Sequence, residues 1–154
     1  MIAYQQELLS LCEEEVAPLA EMEWQESGHP TESLCIDWDQ YFALEDAGML
    51  RFFTARRDGE LVGYIVAIIS SPLTTKGSLL CGLESVYVAK PHRGRTGLRL
   101  FNFVEECMRQ DGVYRIMASS SAKNPIGALL ERMGYGALET KYEKALRWSL
   151  CPLS

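Results

Sequence analysis

The sequence predicts an α/β fold of the α+β kind, with a central mixed β-sheet flanked by helices on both faces. Three observations support this expectation: two helical patterns open the chain, an antiparallel hairpin follows, and the rest alternates strand, helix, strand, helix and strand. A hairpin followed by strand–helix–strand units gives a sheet with both strand orientations, and helices are needed to cover its faces. With 154 residues the chain has room for one compact core, so we expect a single domain over residues 1–154.

Two helices are expected before the hairpin. Residues 3–23 place apolar side chains at helical spacing on one side, with acidic side chains opposite. The apolar positions are Leu8, Cys12, Val16 and Leu19. A second helix is predicted over residues 38–47, because Gly48 is typical of the position just past a helix C-terminus.

The hairpin is the strongest local signal. Strands are predicted at residues 50–55 and 60–69, separated by a tight turn that contains Asp58 and Gly59. An Asp-Gly pair supplies the positive φ angles that two-residue hairpin turns require.

The second half of the chain is predicted to alternate strands with helices. Strands are expected at residues 79–88 and 114–119, and a helix at 97–109 lies between them. A short helix then opens at Asn124, since the proline that follows suits a first helical turn. One or two final strands are expected over residues 137–148.

Charge and cysteine content exclude several classes of function. The net charge of -6 argues against a nucleic-acid partner, which usually needs a basic surface. The five cysteines lack CxxC or Cys/His spacing, so we expect reduced thiols and no metal site. The apolar runs are too short to span a bilayer, and the N-terminus suits no signal peptide. We therefore expect a cytoplasmic protein without a membrane partner.

The segment after the strand at 79–88 has the features of an anion site, and we call residues 93–98 the arginine–glycine turn. It consists of Arg93, Gly94, Arg95, Thr96, Gly97 and Leu98. The first N–H groups of a helix have no intrahelical partner and lie at the positive end of its dipole, so a pyrophosphate is the natural guest. Neither the P-loop nor the dinucleotide-binding pattern is present. Taken alone, the segment also fits a solvated loop with exposed arginines.

Three segments together resemble the GNAT family of N-acetyltransferases. Val86-Tyr87-Val88 followed by the arginine–glycine turn is similar to the family's acetyl-CoA-binding segment. The hairpin with residues 61–64 looks like the family's second and third strands, and residues 124–135 look like its late motif. The chain most resembles the small single-domain members that phages and bacteria often encode.

The chain departs from the family pattern at three positions. Thr96 stands where the family has its first motif glycine, and Leu98 stands where it has a final small residue. Leu130 takes the place of a tyrosine that often protonates the leaving thiolate. The resemblance therefore implies the fold more strongly than it implies full activity.

The resemblance implies an acetyl-CoA-dependent N-acetyltransferase that moves an acetyl group directly to an amine of an unidentified acceptor. Val86, Tyr87 and Val88 are expected along the pantetheine arm, with the Val86 N–H aimed at the thioester oxygen. The arginine–glycine turn would hold the pyrophosphate, and Asn124 would lie near the pantetheine or a bound water. A homodimer built through the C-terminal strands is also expected.

Glu84 is the candidate general base, at a position where polyamine-type family members carry a catalytic glutamate. We expect it to be buried in its strand, which would raise its pKa toward the working range of a base. The other interpretation is a Glu84 that faces solvent or pairs with an arginine. Tyr135 is the candidate replacement for the missing acid, with Tyr87 and Ser119 as alternatives.

Two other functions fit the same residues. A catalytically weakened member of the family could bind CoA or a protein partner as a regulatory module, which Leu130 and the altered glycine spacing favour. A purely structural or interaction domain would have no CoA site. Binding of acetyl-CoA distinguishes the last possibility from the first two.

Overall fold

The computed structural model describes residues 1–28, 32–123 and 125–147. The strands are β1 (Ile2–Glu7), β2 (Leu50–Arg57), β3 (Glu60–Ser70), β4 (Leu80–Val88) and β5 (Arg115–Met117). The helices are α1 (Glu13–Glu26), α2 (Trp38–Asp46), α3 (Arg95–Gln110) and α4 (Gly127–Arg132), with single 3-10 turns at Leu9–Leu11 and Lys90–His92. No helix in these three ranges is both long enough and apolar enough to cross a lipid bilayer.

The expected mixed sheet with helices on both faces is confirmed. The strand order is β1-β2-β3-β4-β5, with antiparallel pairing up to β4 and parallel pairing between β4 and β5. Successive residues of a strand face opposite sides. Phe53 accordingly packs with α3 and α4 on one face, whereas Phe52 packs with α1 and α2 on the other.

The local turn and cap signals place several elements as predicted. Asp58 and Gly59 have φ angles of 50° and 86°, which close the hairpin between β2 and β3. Asp37 accepts a hydrogen bond from the Gln40 N–H at 3.0 Å and so caps α2, which ends before Gly48. Helix α3 begins at Arg95, two residues earlier than expected, so Thr96 and Gly97 lie within its first turn.

The prediction of one helix over residues 3–23 is wrong in its first part. Ile2–Glu7 forms the edge strand β1, whose pairing with β2 is a long-range contact that no helical repeat reports. Leu8 is accordingly 55% exposed. From Glu13 onward the helix is present, and Val16 and Leu19 are buried as expected.

Two further expectations are wrong. Residues 137–147 contain no strand, and their apolar side chains, such as Leu138 and Tyr142, are exposed instead of packed on the sheet. The rest of that predicted strand lies outside the described residues. Cys12, Cys81 and Cys107 are free thiols, but Cys35 is disulfide-bonded, so the expectation of reduced cysteines fails there.

Candidate functional site

A β-bulge in β4 shapes the centre of the candidate site. Ala67 of β3 is opposite Leu83 and Val66 is opposite Ser85, so Glu84 is the extra residue of the bulge. Normal alternation would place neighbouring side chains on opposite faces, but the extra residue lets both Glu84 and Ser85 reach the α1–α2 face. There Tyr41 of α2 donates a hydrogen bond to Glu84 at 3.5 Å.

Strands β4 and β5 separate just before this bulge. Their pairing covers only Leu80 to Gly82, although β4 continues to Val88. The Ala89 N–H donates to the Val62 carbonyl at 2.9 Å. In an antiparallel ladder, residues whose backbone bonds to the neighbouring strand alternate with residues whose backbone points away from it. Because the Ala89 backbone points to β3, the backbone groups of Val88 and Val86 point to the β5 side. Val86 therefore presents its N–H and carbonyl to a gap where β5 has already ended.

The arginine–glycine turn follows directly from this gap. Gly94 has a φ of 112° and precedes the first residue of α3, so the N-cap position supplies no side-chain acceptor to the first N–H groups of that helix. Thr96 is buried, whereas Arg95 and Leu98 are exposed. A Cβ atom added at Gly94 or Gly97 would meet no atom of the described residues within 4 Å, so these residues leave open space at the helix end.

Arg93 contacts β4 and α1. Its Nε donates to the Val88 carbonyl at 2.7 Å, and its guanidinium pairs with Glu26 at 2.6 Å and lies 5.5 Å from the centroid of the Tyr87 ring. Burial acts to raise the pKa of Glu26, but hydrogen bonds from Arg93 and Tyr87 prevail and hold it below its usual value. Since 38% of the Arg93 side chain is exposed, the guanidinium is also accessible from solvent.

The expected burial of Glu84 is wrong, because its side chain is exposed. The bulge projects it into the space between β4 and α2, beyond the end of β5, and not into a packed face of the sheet. Glu84 nevertheless lies beside Ser85 and contacts Tyr41, so it borders the cavity described below.

Glu23 of α1 is a site residue that the sequence analysis missed. Its carboxylate accepts hydrogen bonds from the Tyr64 hydroxyl at 2.7 Å and from the Ser85 hydroxyl at 2.9 Å. Burial raises the pKa of Glu23, and these two hydrogen bonds only partly oppose the rise. The signal was present, since Glu23 is an acid that continues the apolar helical stripe of Val16 and Leu19 at the next turn.

A cavity of about 260 Å³ lies between α1, α2 and the sheet. Glu23 is the only ionisable carboxylate among the described residues that line it, and Tyr41 and Ser85 add hydroxyl groups. Its apolar lining includes Leu34, Ile36, Trp38 and Val66. The cavity therefore combines apolar walls with one buried acid.

The other candidate residues are not brought to this cavity. Tyr135 donates to Glu105 of α3 at 3.1 Å and packs with the core on the opposite face of the sheet. Burial and the nearby Glu105 charge raise its pKa. Tyr87 donates to Glu26 at 2.8 Å, and burial followed by that hydrogen bond raises its pKa to about 12. Ser119 is exposed beyond β5, and Asn124 lies outside the described residues.

Comparison with known proteins adds evidence that is independent of this geometry. The family model described as the acetyltransferase (GNAT) family matches residues 10–135. A search of curated proteins gives no significant match.

Solved structures with the same fold are numerous. An aminoglycoside acetyltransferase from an uncultured soil metagenomic sample, in complex with sisomicin, has a TM-score of 0.75 at 11% identity, covering 95% of this chain and 97% of its own. A ribosomal-protein-alanine N-acetyltransferase from Brucella melitensis has a TM-score of 0.71 at 18% identity, covering 94% and 99%. A predicted acetyltransferase with acetyl-CoA from Clostridium acetobutylicum has a TM-score of 0.72 at 14% identity, covering 95% and 97%. At these identities the likeness concerns the fold.

Proposed function

The chain belongs to the acetyltransferase (GNAT) family, and from that membership we propose that it is an acetyl-CoA-dependent N-acetyltransferase acting on an amine. The observation that most supports this proposal is the gap between β4 and β5, where the backbone of Val86 has no strand partner on its β5 side and β4 leads directly to the start of α3. Acetyl-CoA has an extended pantetheine arm that ends in a pyrophosphate. The arm would follow the gap beside β4, and the pyrophosphate would lie at the start of α3.

The residues around the gap fit acetyl-CoA. Val86, Tyr87 and Val88 would lie along the pantetheine arm, and the arginine–glycine turn would hold the pyrophosphate with the open N–H groups of α3. The open space beside Gly94 and Gly97 leaves room for phosphate oxygens. The bound cosubstrate supplies an acetyl thioester. We assign Asn124 to the pantetheine side of this site from the family resemblance.

The Val86 N–H is the proposed donor to the thioester oxygen. A fixed backbone donor stabilises the negative charge that develops there when an amine attacks, and this effect is large where water is excluded. Because Val86 follows Glu84 and Ser85, the same stretch of β4 would contact the reacting carbonyl and the incoming amine.

Glu84 is the proposed general base, directly or through a water molecule. An ammonium has no lone pair, so the acceptor must lose a proton before its nitrogen can attack. Glu84 takes this first proton, and the neutral nitrogen attacks the thioester carbonyl. As the new C–N bond forms and the C–S bond breaks, the nitrogen loses its second proton to solvent and the thiolate takes a proton from solvent. Tyr135 remains the alternative proton donor, although its hydroxyl donates to Glu105 in the absence of ligand.

Calorimetric titration with acetyl-CoA tests the site. Arg93→Ala removes a charge at the proposed pyrophosphate site, and we expect it to weaken binding about 10- to 100-fold, the range for a hydrogen bond to a charged group. Arg109→Ala, at the other end of α3, is the matched control and should bind normally. Folded wild-type protein that does not bind acetyl-CoA would overturn the proposal.

Glu84→Gln tests the chemical step separately. We expect acetyl-CoA affinity to be unchanged and turnover to fall roughly 100- to 10,000-fold, as is typical for loss of a general base. Unchanged turnover on an amine that the wild-type protein acetylates would exclude Glu84 as the base.

A second candidate function is a CoA-binding regulatory module with little or no transferase activity. The observation in its favour is that Leu130, at the family's tyrosine position, is buried in the core and only 7% exposed. This module would bind acetyl-CoA in the titration but release no thiol with any amine.

A further inference from the structure

We propose that the cavity between α1, α2 and the sheet binds the acceptor, that this acceptor is a primary amine on a small apolar body, and that Glu23 determines this specificity. The inference rests on the proposed function, because it assigns the substrate class of the same site. It concerns binding of the acceptor and leaves proton removal to Glu84.

The size and walls of the cavity select the body of the acceptor. A volume of about 260 Å³ lies just below the range of roughly 300–1,000 Å³ found for drug-sized ligands, so the occupant must be small. Trp38 and Tyr41 supply aromatic surface, and Leu34 and Ile36 supply aliphatic surface. Such walls favour an aromatic ring or a branched hydrocarbon and disfavour a sugar, whose hydroxyl groups would lose hydrogen bonds to water.

The charges select the head group. Among the described residues, no lysine, arginine or histidine nitrogen lies within 4.0 Å of the Glu23 or Glu84 carboxylate. Arg93, which does reach this end of α1, is paired with Glu26. Two carboxylates without a cationic partner attract an ammonium group and repel a phosphate or a second carboxylate on the acceptor.

One ammonium group is favoured over several. Glu23 is the only charged residue among the described lining residues, and it lies at the sheet side of the cavity beside Ser85. A second ammonium group further along a polyamine would lie against apolar walls, where an unpaired charge is costly.

Glu23 also lies next to the reaction point. The Ser85 hydroxyl donates to both oxygens of Glu23 within 2.9 Å, and the next residue of β4 is Val86, whose N–H faces the gap. An amine held between Glu23 and Glu84 is therefore adjacent to the proposed thioester position without a long spacer.

Three probe amines and two variants test the inference. Thiol release from acetyl-CoA is measured with 2-phenylethylamine, spermidine and glucosamine 6-phosphate. We expect wild-type protein to prefer 2-phenylethylamine. Glu23→Gln should raise KM for that amine about 10- to 100-fold while changing kcat less, because it removes a charged hydrogen-bond partner and keeps the shape. Glu21→Gln, an exposed position on the same helix, is the control and should behave as wild type.

The readouts separate this inference from the proposed function. Preference for spermidine or glucosamine 6-phosphate, or an unchanged KM in Glu23→Gln, would overturn the inference while the transferase function stands. If no acetyl-CoA binds and no thiol is released with any amine, the proposed function fails. In that case, calorimetric binding of 2-phenylethylamine alone still decides about the cavity: binding lost in Glu23→Gln supports its assignment, and no binding by wild-type protein overturns it.

Discussion

Replacing Gly63 with alanine should destabilise the protein and disturb the cosubstrate site from the far side of β4. Gly63 of β3 is opposite Val88 in the sheet. A Cβ atom at this position would lie 2.9 Å from the Tyr87 carbonyl oxygen and 3.1 Å from Cγ2 of Val88. The first contact is with backbone, so a side-chain rotation cannot relieve it, and β4 must move away from β3.

The magnitude follows from two opposing effects. Overpacking costs about 1–3 kcal/mol. Removing a glycine from a strand stabilises by about 0.5–1 kcal/mol, because the unfolded chain loses freedom. The difference lies between about 0 and 2.5 kcal/mol with a central value near 1 kcal/mol, which for a chain of this size lowers Tm by about 2–4 °C. Thermal denaturation followed by circular dichroism measures it.

The same variant should weaken acetyl-CoA binding in the titration described above. The Val88 carbonyl accepts the hydrogen bond from Arg93 at 2.7 Å, so a shift of Val88 moves the entrance of the arginine–glycine turn. Gly82→Ala is the matched control, since Gly82 lies in β4 and its added Cβ meets no atom of the described residues within 4 Å. If both variants had the same Tm and the same affinity, the argument from the contact at Gly63 would be refuted.

Three further predictions concern the core, an ion pair and pH. Leu130→Tyr, which would restore the family's tyrosine, should lower the free energy of unfolding in urea by about 1–3 kcal/mol, because Leu130 is buried among α3 side chains. An unchanged free energy of unfolding would mean that the larger ring fits without disturbing the core. Arg56→Leu should cost about 2–3 kcal/mol in the same assay, because it leaves the mostly buried Glu7 without its cationic partner. This loss is somewhat below the range for a fully buried pair. Adding Glu7→Leu should recover part of the loss, and an equal or greater loss in the double variant would contradict the reasoning. Glu23→Gln should stabilise the protein relative to wild type at pH 7, because the pKa of Glu23 is raised in the native state and the ionised carboxylate is costly above that pKa. The gain in stability should shrink as pH falls toward 4.5. A gain that does not depend on pH would contradict the assignment.

Elements with local signals could be predicted from the sequence, and elements that depend on distant pairing could not. The turn at Asp58-Gly59 and the end of α2 at Gly48 need only positive φ angles at defined positions, so both were predicted to within two residues. Residues 3–7 were assigned to a helix because their strand conformation depends on pairing with β2, almost fifty residues away. Residues 137–147 form no strand either, because in the described part of the chain they pair with neither β1 nor β5, the two edge strands of the sheet.

The candidate site was predictable on its cosubstrate side and not on its acceptor side. The arginine–glycine turn combines a helix start, glycines and cations in one contiguous segment, so the local sequence is enough to predict an anion site there. Glu23 acquires its environment from Tyr64 of β3 and Ser85 of β4, which are 41 and 62 residues away. An acid on an apolar helical stripe was the available signal, and only tertiary packing shows that it faces a cavity.

The bulge at Glu84 links the two sides of the site. Without the extra residue, strict alternation would allow only one of Glu84 and Ser85 to face α1 and α2. With it, Ser85 reaches Glu23 and Glu84 reaches Tyr41. A bulge also bends its strand and increases the local twist, and β4 leaves β5 after Gly82, two residues before the bulge. The inserted residue therefore gives the cavity its acidic border, and it lies two residues before Val86, whose backbone has no strand partner on the β5 side. The proposed acceptor and cosubstrate sites meet at this point of the sheet.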